Sequence, residues 1–135
     1  MYKNILVPIS YEENRDSAQA IEIAKYLAGE SGSITLLHVM ENVPNYAATY
    51  LAEGYLENSL AGLKTDLAKQ ASTIPNAKSS VITGHSGASI VDYAKAKDCD
   101  LIIVASHRPG VSDYFLGSTA THIVRHATCA VHVIR

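Results

Sequence analysis

The sequence predicts one doubly wound α/β domain spanning residues 1–135, an open parallel sheet of five strands with helices on both faces. Three observations predict it. Five apolar runs of strand length are separated by four stretches of helical period. The chain, at 135 residues, has the size of one domain, which buries roughly 68–70% of its unfolded surface. Finally, the apolar run Leu101–Ala105 passes through a turn-rich segment, Ser106-His107-Arg108-Pro109-Gly110, towards Gly117-Ser118-Thr119. That order describes a buried strand delivering the free amides of a helix start to an anion. An ordinary helix cap beside a turn is the alternative reading of the same residues.

The first strand is Lys3–Ile9, bounded by Ser10 and a polar cluster. Asn14 or Asp16 caps the helix that follows, which carries Ala20, Ile21, Ala24, Leu27 and Ala28 on one face and ends at Gly32. Ser33–Met40 is the second strand, with a loop through Pro44 and Asn45 behind it. A long helix from about Ala48 to Ser72 contains Gly54 and Gly62, either of which is a place for it to break, and Pro75 closes it. The third strand, Lys78–Thr83, enters a helix through Gly84-His85-Ser86-Gly87, and that helix carries Ile90, Val91, Tyr93, Ala94 and Ala96. Cys99–Ala105 is the fourth strand, Thr119–His126 the last helix, and Ala130–Ile134 the fifth strand.

Composition removes several classes of function. Apolar residues make up 47% and charged residues 18%, so the chain is globular. A formal charge of −2 argues against a nucleic-acid partner. The first residues lead straight into a strand and no apolar run approaches membrane-spanning length, so the expectation is a cytoplasmic protein with no membrane attachment. Cys99 and Cys129 lack the spacing of a metal or redox motif and read as buried reduced thiols.

In an open sheet of this kind ligands bind beyond the carboxyl ends of the strands, where strand order reverses. If the first and fourth strands are neighbours there, the Ser10 loop and the 106–118 loop face each other. The turn after the first strand, Pro8-Ile9-Ser10-Tyr11-Glu12-Glu13, holds no glycine, so the dinucleotide fingerprint and the P-loop are both absent. A receiver domain is excluded too, because the third strand ends Ile82-Thr83-Gly84 without a metal-binding carboxylate. Phosphate must go to Gly117-Ser118-Thr119, with Gly84-His85-Ser86-Gly87 the weaker alternative.

With these residues in view the chain resembles the universal stress proteins, and the match runs end to end. It rests on Asn4-Ile-Leu-Val-Pro-Ile9, Leu36-Leu-His-Val39, Asp100-Leu-Ile-Ile-Val-Ala-Ser-His107, Leu116-Gly-Ser-Thr-Ala120 and His122–Arg135. Ala105-Ser-His-Arg-Pro109 is most similar to the F and G subgroup. The resemblance implies strand order 3-2-1-4-5, a Rossmann-like fold of the adenine nucleotide alpha hydrolase type, and ATP as ligand. It places adenine near Pro8, Ile9 and the backbone of Val39, and the triphosphate over Ala105, Ser106, His107 and Arg108 and over Gly117, Ser118 and Thr119. The ATP-binding members carry a glycine, two residues, a second glycine, nine residues, then glycine with serine or threonine. Here Ala105 and Arg108 stand at the first two glycines, and residues 109–116 make the spacer one shorter. The Arg108 guanidinium suits phosphate oxygens as a substitute for a backbone amide. Ser10 stands where the family usually has Asp.

The remaining polar residues have plainer readings. His38 is a hydrogen-bonded sheet histidine, and His107 is either a phosphate ligand or a solvated loop residue. His122 and His126 have metal-ligand spacing but no third ligand, and read as a surface pair, while Arg125 and His126 complement the helix dipole. Tyr46, Tyr50 and Tyr55 are either a lid on the adenine side or partly buried helix aromatics. Ser118 lacks the placed base that a nucleophile requires. The fifth strand is an apolar sheet edge, and the resemblance implies a homodimer through residues 130–135. The leading expectation is an ATP-binding regulatory or protective protein of the stress response, a binder before an enzyme. The alternatives are an interaction module without nucleotide and a slow Mg²⁺-dependent ATP hydrolase.

Overall fold

The computed structural model describes residues 1–11, 17–42, 50, 52–106 and 116–135. Along them run β1 (Asn4–Pro8), α1 (Ser17–Ala28), β2 (Ser33–Met40), α2 (Tyr55–Ser72) and β3 (Ala77–Thr83). They are followed by α3 (Ser86–Ala96), β4 (Leu101–Ala105), α4 (Ser118–His126) and β5 (Ala130–Ile134). Every strand pair is parallel, and the sheet order is β3-β2-β1-β4-β5, as the resemblance implies.

Successive side chains of a strand point to opposite faces, and here both faces are covered. Ile5, Val7 and Ile9, with Ile34, Leu36, Leu101 and Ile103, meet Ala20, Ala24 and Ala28 of α1 and Leu67 and Ala71 of α2. Leu6, Leu37, Val39, Ile102 and Val104 meet Ile90 and Ala94 of α3 and Ala120 and Ile123 of α4. Burial on both faces is why these strands read as continuous apolar runs. The three alanines of α1 recur every four residues, so that helix lies close against the sheet.

Several boundaries differ from the sequence expectation. The described helix α2 begins at Tyr55 rather than near Ala48, because Gly54 takes a left-handed conformation at φ 79° that a right-handed helix cannot run through. Gly62 stays inside the helix on its exposed face. Helix α1 ends at Ala28, ahead of Gly32, whose amide donates to the Ala28 carbonyl at 2.9 Å. Strand β4 starts at Leu101 rather than Cys99, since Asp100 turns its carboxylate to the amides of Lys3 and Asn4 at 2.9 and 3.0 Å. β3 gains Ala77, β1 is trimmed to Asn4–Pro8, and α4 gains Ser118. The cap residues Asn14 and Asp16 and the loop at Pro44 and Asn45 lie outside the described residues. Cys99 is buried and Cys129 half-buried, both as free thiols.

Candidate functional site

The strand order reverses between β1 and β4, which pair through Ile5 with Leu101 and Leu6 with Ile102. Beyond their carboxyl ends Pro8, Ile9, Ser10 and Tyr11 form one lip and Ala105 and Ser106 the other. The start of α4 closes the second side, for a Cβ built on Gly117 lies 3.9 Å from the Ser106 carbonyl oxygen. The structure thus brings Ser106, Gly117, Ser118 and Thr119 together. His107 and Arg108 lie outside the described residues.

Backbone alternation decides which groups point into the crevice. The Ile34 amide donates across to Asn76 beside β3, whereas the Ser33 amide donates to Lys3 and the Leu37 carbonyl accepts from Ile9, both on the β1 side. Odd-numbered residues of β2 therefore face β1. Strand β1 pairs only as far as Pro8 with Leu37, so the N–H and C=O of Val39 project past its end. A nucleobase needs one donor and one acceptor edge of this kind.

Other groups are already engaged. The Ile9 amide donates to Leu37 at 2.7 Å, and its carbonyl lies 2.8 Å from His38 Nδ1. A carbonyl only accepts, so that ring nitrogen carries the proton, and His38 is the sheet histidine expected of it. The Ser106 amide and hydroxyl both donate to the Ile134 carbonyl, at 2.8 and 3.3 Å. Ser106 therefore has only its hydroxyl lone pairs left to offer towards the crevice.

The two glycine-bearing helix starts differ in charge. Gly117 caps α4 in an extended conformation without a side chain, leaving the first-turn amides to the crevice. At the start of α3, Glu41 Oε1 accepts from the Ser86 amide at 3.1 Å and from the Ser86 hydroxyl at 2.7 Å. These bonds hold the Glu41 carboxyl below the usual carboxylate range, the hydroxyl contributing most. His85 Nδ1 stands 3.6 Å from its other oxygen. The weaker phosphate alternative therefore already carries a negative charge, and of these two helix starts α4 is the one with no carboxylate on it among the described residues.

The sequence reading passed over Tyr11. Its hydroxyl donates to Asp66 Oδ2 on α2 at 2.7 Å, and its ring meets His38 edge-on with centroids 4.9 Å apart. Partial burial and then the Asp66 carboxylate push the phenol well above its ordinary pKa, while the same bond lowers that of Asp66. Its place in the turn that follows the first strand was the available signal for Tyr11, whereas Asp66, far along the chain, carried none. Tyr50 and Tyr55 are exposed rather than packed as helix aromatics, and Tyr46 lies outside the described residues. His122 and His126 stack at 4.4 Å, and among the described residues no three His, Cys, Asp or Glu side chains gather as a metal site. No helix among them is long and apolar enough to cross a membrane.

Sheet order and the uncapped start of α4 define a doubly wound α/β protein with a crevice at its switch point. The family model described as the universal stress protein family matches residues 1–135. The universal stress protein G of Salmonella typhimurium strain LT2 is 30% identical over 142 residues, covering 100% of both chains. Among solved structures, universal stress protein UspA from Lactobacillus plantarum superposes with a TM-score of 0.76 at 26% identity, covering 99% of this chain and 98% of that one. A universal stress protein from Archaeoglobus fulgidus in complex with dAMP shares the fold at a TM-score of 0.63, 16% identity and coverage of 99% and 98%. So does an Arabidopsis thaliana family member with AMP bound, at 0.62, 19% identity and coverage of 98% and 90%. This chain belongs to the universal stress protein family.

Proposed function

We propose that this protein is an ATP-binding member of the stress response with a regulatory or protective role, holding the nucleotide at the carboxyl ends of β1 and β4. The contrast between the two helix starts carries the reading: α4 presents free amides behind Gly117, while α3 is closed by Glu41. Adenine lies between Pro8, Ile9 and Ser10 and the projecting backbone of Val39. The triphosphate runs over Ala105, Ser106, His107 and Arg108 to the amides and hydroxyls of Ser118 and Thr119. Mg²⁺, where present, accompanies the phosphates. Relatives with AMP and dAMP bound support an adenine nucleotide as the ligand class.

Calorimetric titration of the nucleotide-stripped protein tests this, with ATP, ATP plus Mg²⁺, and AMP as separate ligands. Saturable binding tighter for ATP than for AMP, weakened by Arg108→Ala, supports the reading. No heat up to millimolar ATP overturns it in favour of an interaction module of the same fold. That second reading is favoured by Ser106, whose donors are both spent on Ile134. A working assembly of two copies joined along β5 belongs to either reading, in a cytoplasmic setting.

A further inference from the structure

We infer that Tyr11 is the aromatic wall against which the nucleobase packs, held in place from behind by Asp66 and His38; the inference rests on the nucleotide reading above. A tyrosine in a surface loop ordinarily samples several rotamers, and ordering it costs side-chain entropy. This one is fixed at two points. Its hydroxyl is tied to α2 through Asp66 Oδ2, which Gln70 Nε2 also holds at 2.9 Å, and its ring abuts His38. His38 is itself pinned to the Ile9 carbonyl at 2.8 Å, so the ring is anchored to both β1 and β2.

Location gives the anchoring a purpose. Tyr11 is the third residue past the end of β1, beside Ile9 and Ser10, on the lip of the crevice. His38 immediately precedes Val39, whose N–H and C=O face the β1 side beyond the last β1–β2 pair. Tyr11 is 41% exposed even though its hydroxyl is bound. A phenol whose polar end is already committed offers a ligand its ring, and stacking on a ring is tolerant of base identity. An anchored ring also binds without a further ordering cost. The chemistry selected is a planar heteroaromatic base, and the phosphates are left to α4.

The chain contains no tryptophan, so Tyr11→Trp introduces its single indole. Emission of that variant is followed during titration with ATP, and separately with inorganic tripolyphosphate, which has the charge but no base. Quenching that saturates with ATP, at the concentration found by calorimetry, and is absent with tripolyphosphate supports the wall. In parallel, Tyr11→Ala binds ATP on the order of 10-fold more weakly, Tyr11→Phe recovers most of that loss, and Asp66→Ala, which frees the same tether while keeping the ring, behaves like Tyr11→Phe. Should wild-type protein bind ATP while Tyr11→Ala, folded by its melting transition, binds it equally well, the wall is wrong and the nucleotide site stands. Unchanged indole emission on ATP saturation has the same meaning. Absence of ATP binding by wild-type protein removes the nucleotide reading and the wall with it.

Discussion

Glu41 and Ser86 join the end of β2 to the start of α3 through two hydrogen bonds to one carboxylate oxygen, from the Ser86 amide and hydroxyl. The carboxylate satisfies an orphan amide of the helix and complements its positive end. It also decides between two helix starts that look alike in sequence, since a phosphate approaching Ser86 would meet a negative charge.

Replacing Glu41 with Gln lowers stability by about 0.5–1 kcal/mol near neutral pH, as loss of a charged cap does. The carboxyl is depressed below its ordinary value of 4.5 in the folded state. Its contribution is therefore complete above that value and disappears as pH falls through the lower folded pKa. Thermal melts of both proteins converge in strong acid. Equal melting temperatures at pH 7 would show the cap to be inert.

Gly117 and Gly87 respond in opposite ways to alanine. Among the described residues a Cβ on Gly117 meets only the Ser106 carbonyl oxygen, at 3.9 Å, and its φ of −63° suits any residue. Gly117→Ala therefore folds with stability within about 0.5 kcal/mol of wild type and, on the proposed reading, weakens ATP binding, because the added methyl stands where that reading seats the phosphates. On Gly87 a Cβ comes within 2.8 Å of the His122 side chain on α4. Gly87→Ala forces the two helices apart and costs about 1–3 kcal/mol in denaturant unfolding, without a matching effect on nucleotide.

Much of this architecture was legible in the sequence, for a physical reason. Runs such as Leu101–Ala105 are apolar because both faces of the sheet are covered, and only a parallel α/β layer imposes that pattern. Gly117-Ser118 was legible because a helix start with no capping side chain leaves a local trace. What stayed hidden was made by contacts between distant segments. Tyr11 and Asp66 are 55 positions apart, and Glu41 and Ser86 are 45 apart. No local pattern encodes such pairs. The sequence offers Gly54 and Gly62 alike as places for the long helix to break, and only backbone geometry selects Gly54.

The Cys99 thiol is pushed up to about 11, by burial first and by nearby Cys129 second, and the Cys129 thiol is raised as well. Thiolate is the reactive form. At pH 7.5 the native protein reacts with an aromatic disulfide reagent far more slowly than the unfolded chain, and Cys129 reacts before the buried Cys99. Rapid labelling of both in the native state would contradict the packing.

Strand β5 is the outermost on its side of the sheet. The Ile134 carbonyl accepts from the Ser106 amide, so by alternation Val131 and Val133 turn their N–H and C=O groups to the open edge. Val133→Pro removes an outward donor and leaves the ladder to β4 intact. Light scattering should show wild-type protein at twice the chain mass of 14.5 kDa and the variant at that mass. An unchanged dimer would place the interface elsewhere.

The measurement that bears most directly on the central claim is an amide-resolved NMR titration of the nucleotide-stripped protein with ATP. The largest shifts are expected at Val39, Ser118 and Thr119, with Ser86 and Gly87 nearly still. Shifts concentrated at the start of α3, or none at any of these amides at saturating ATP, would contradict it.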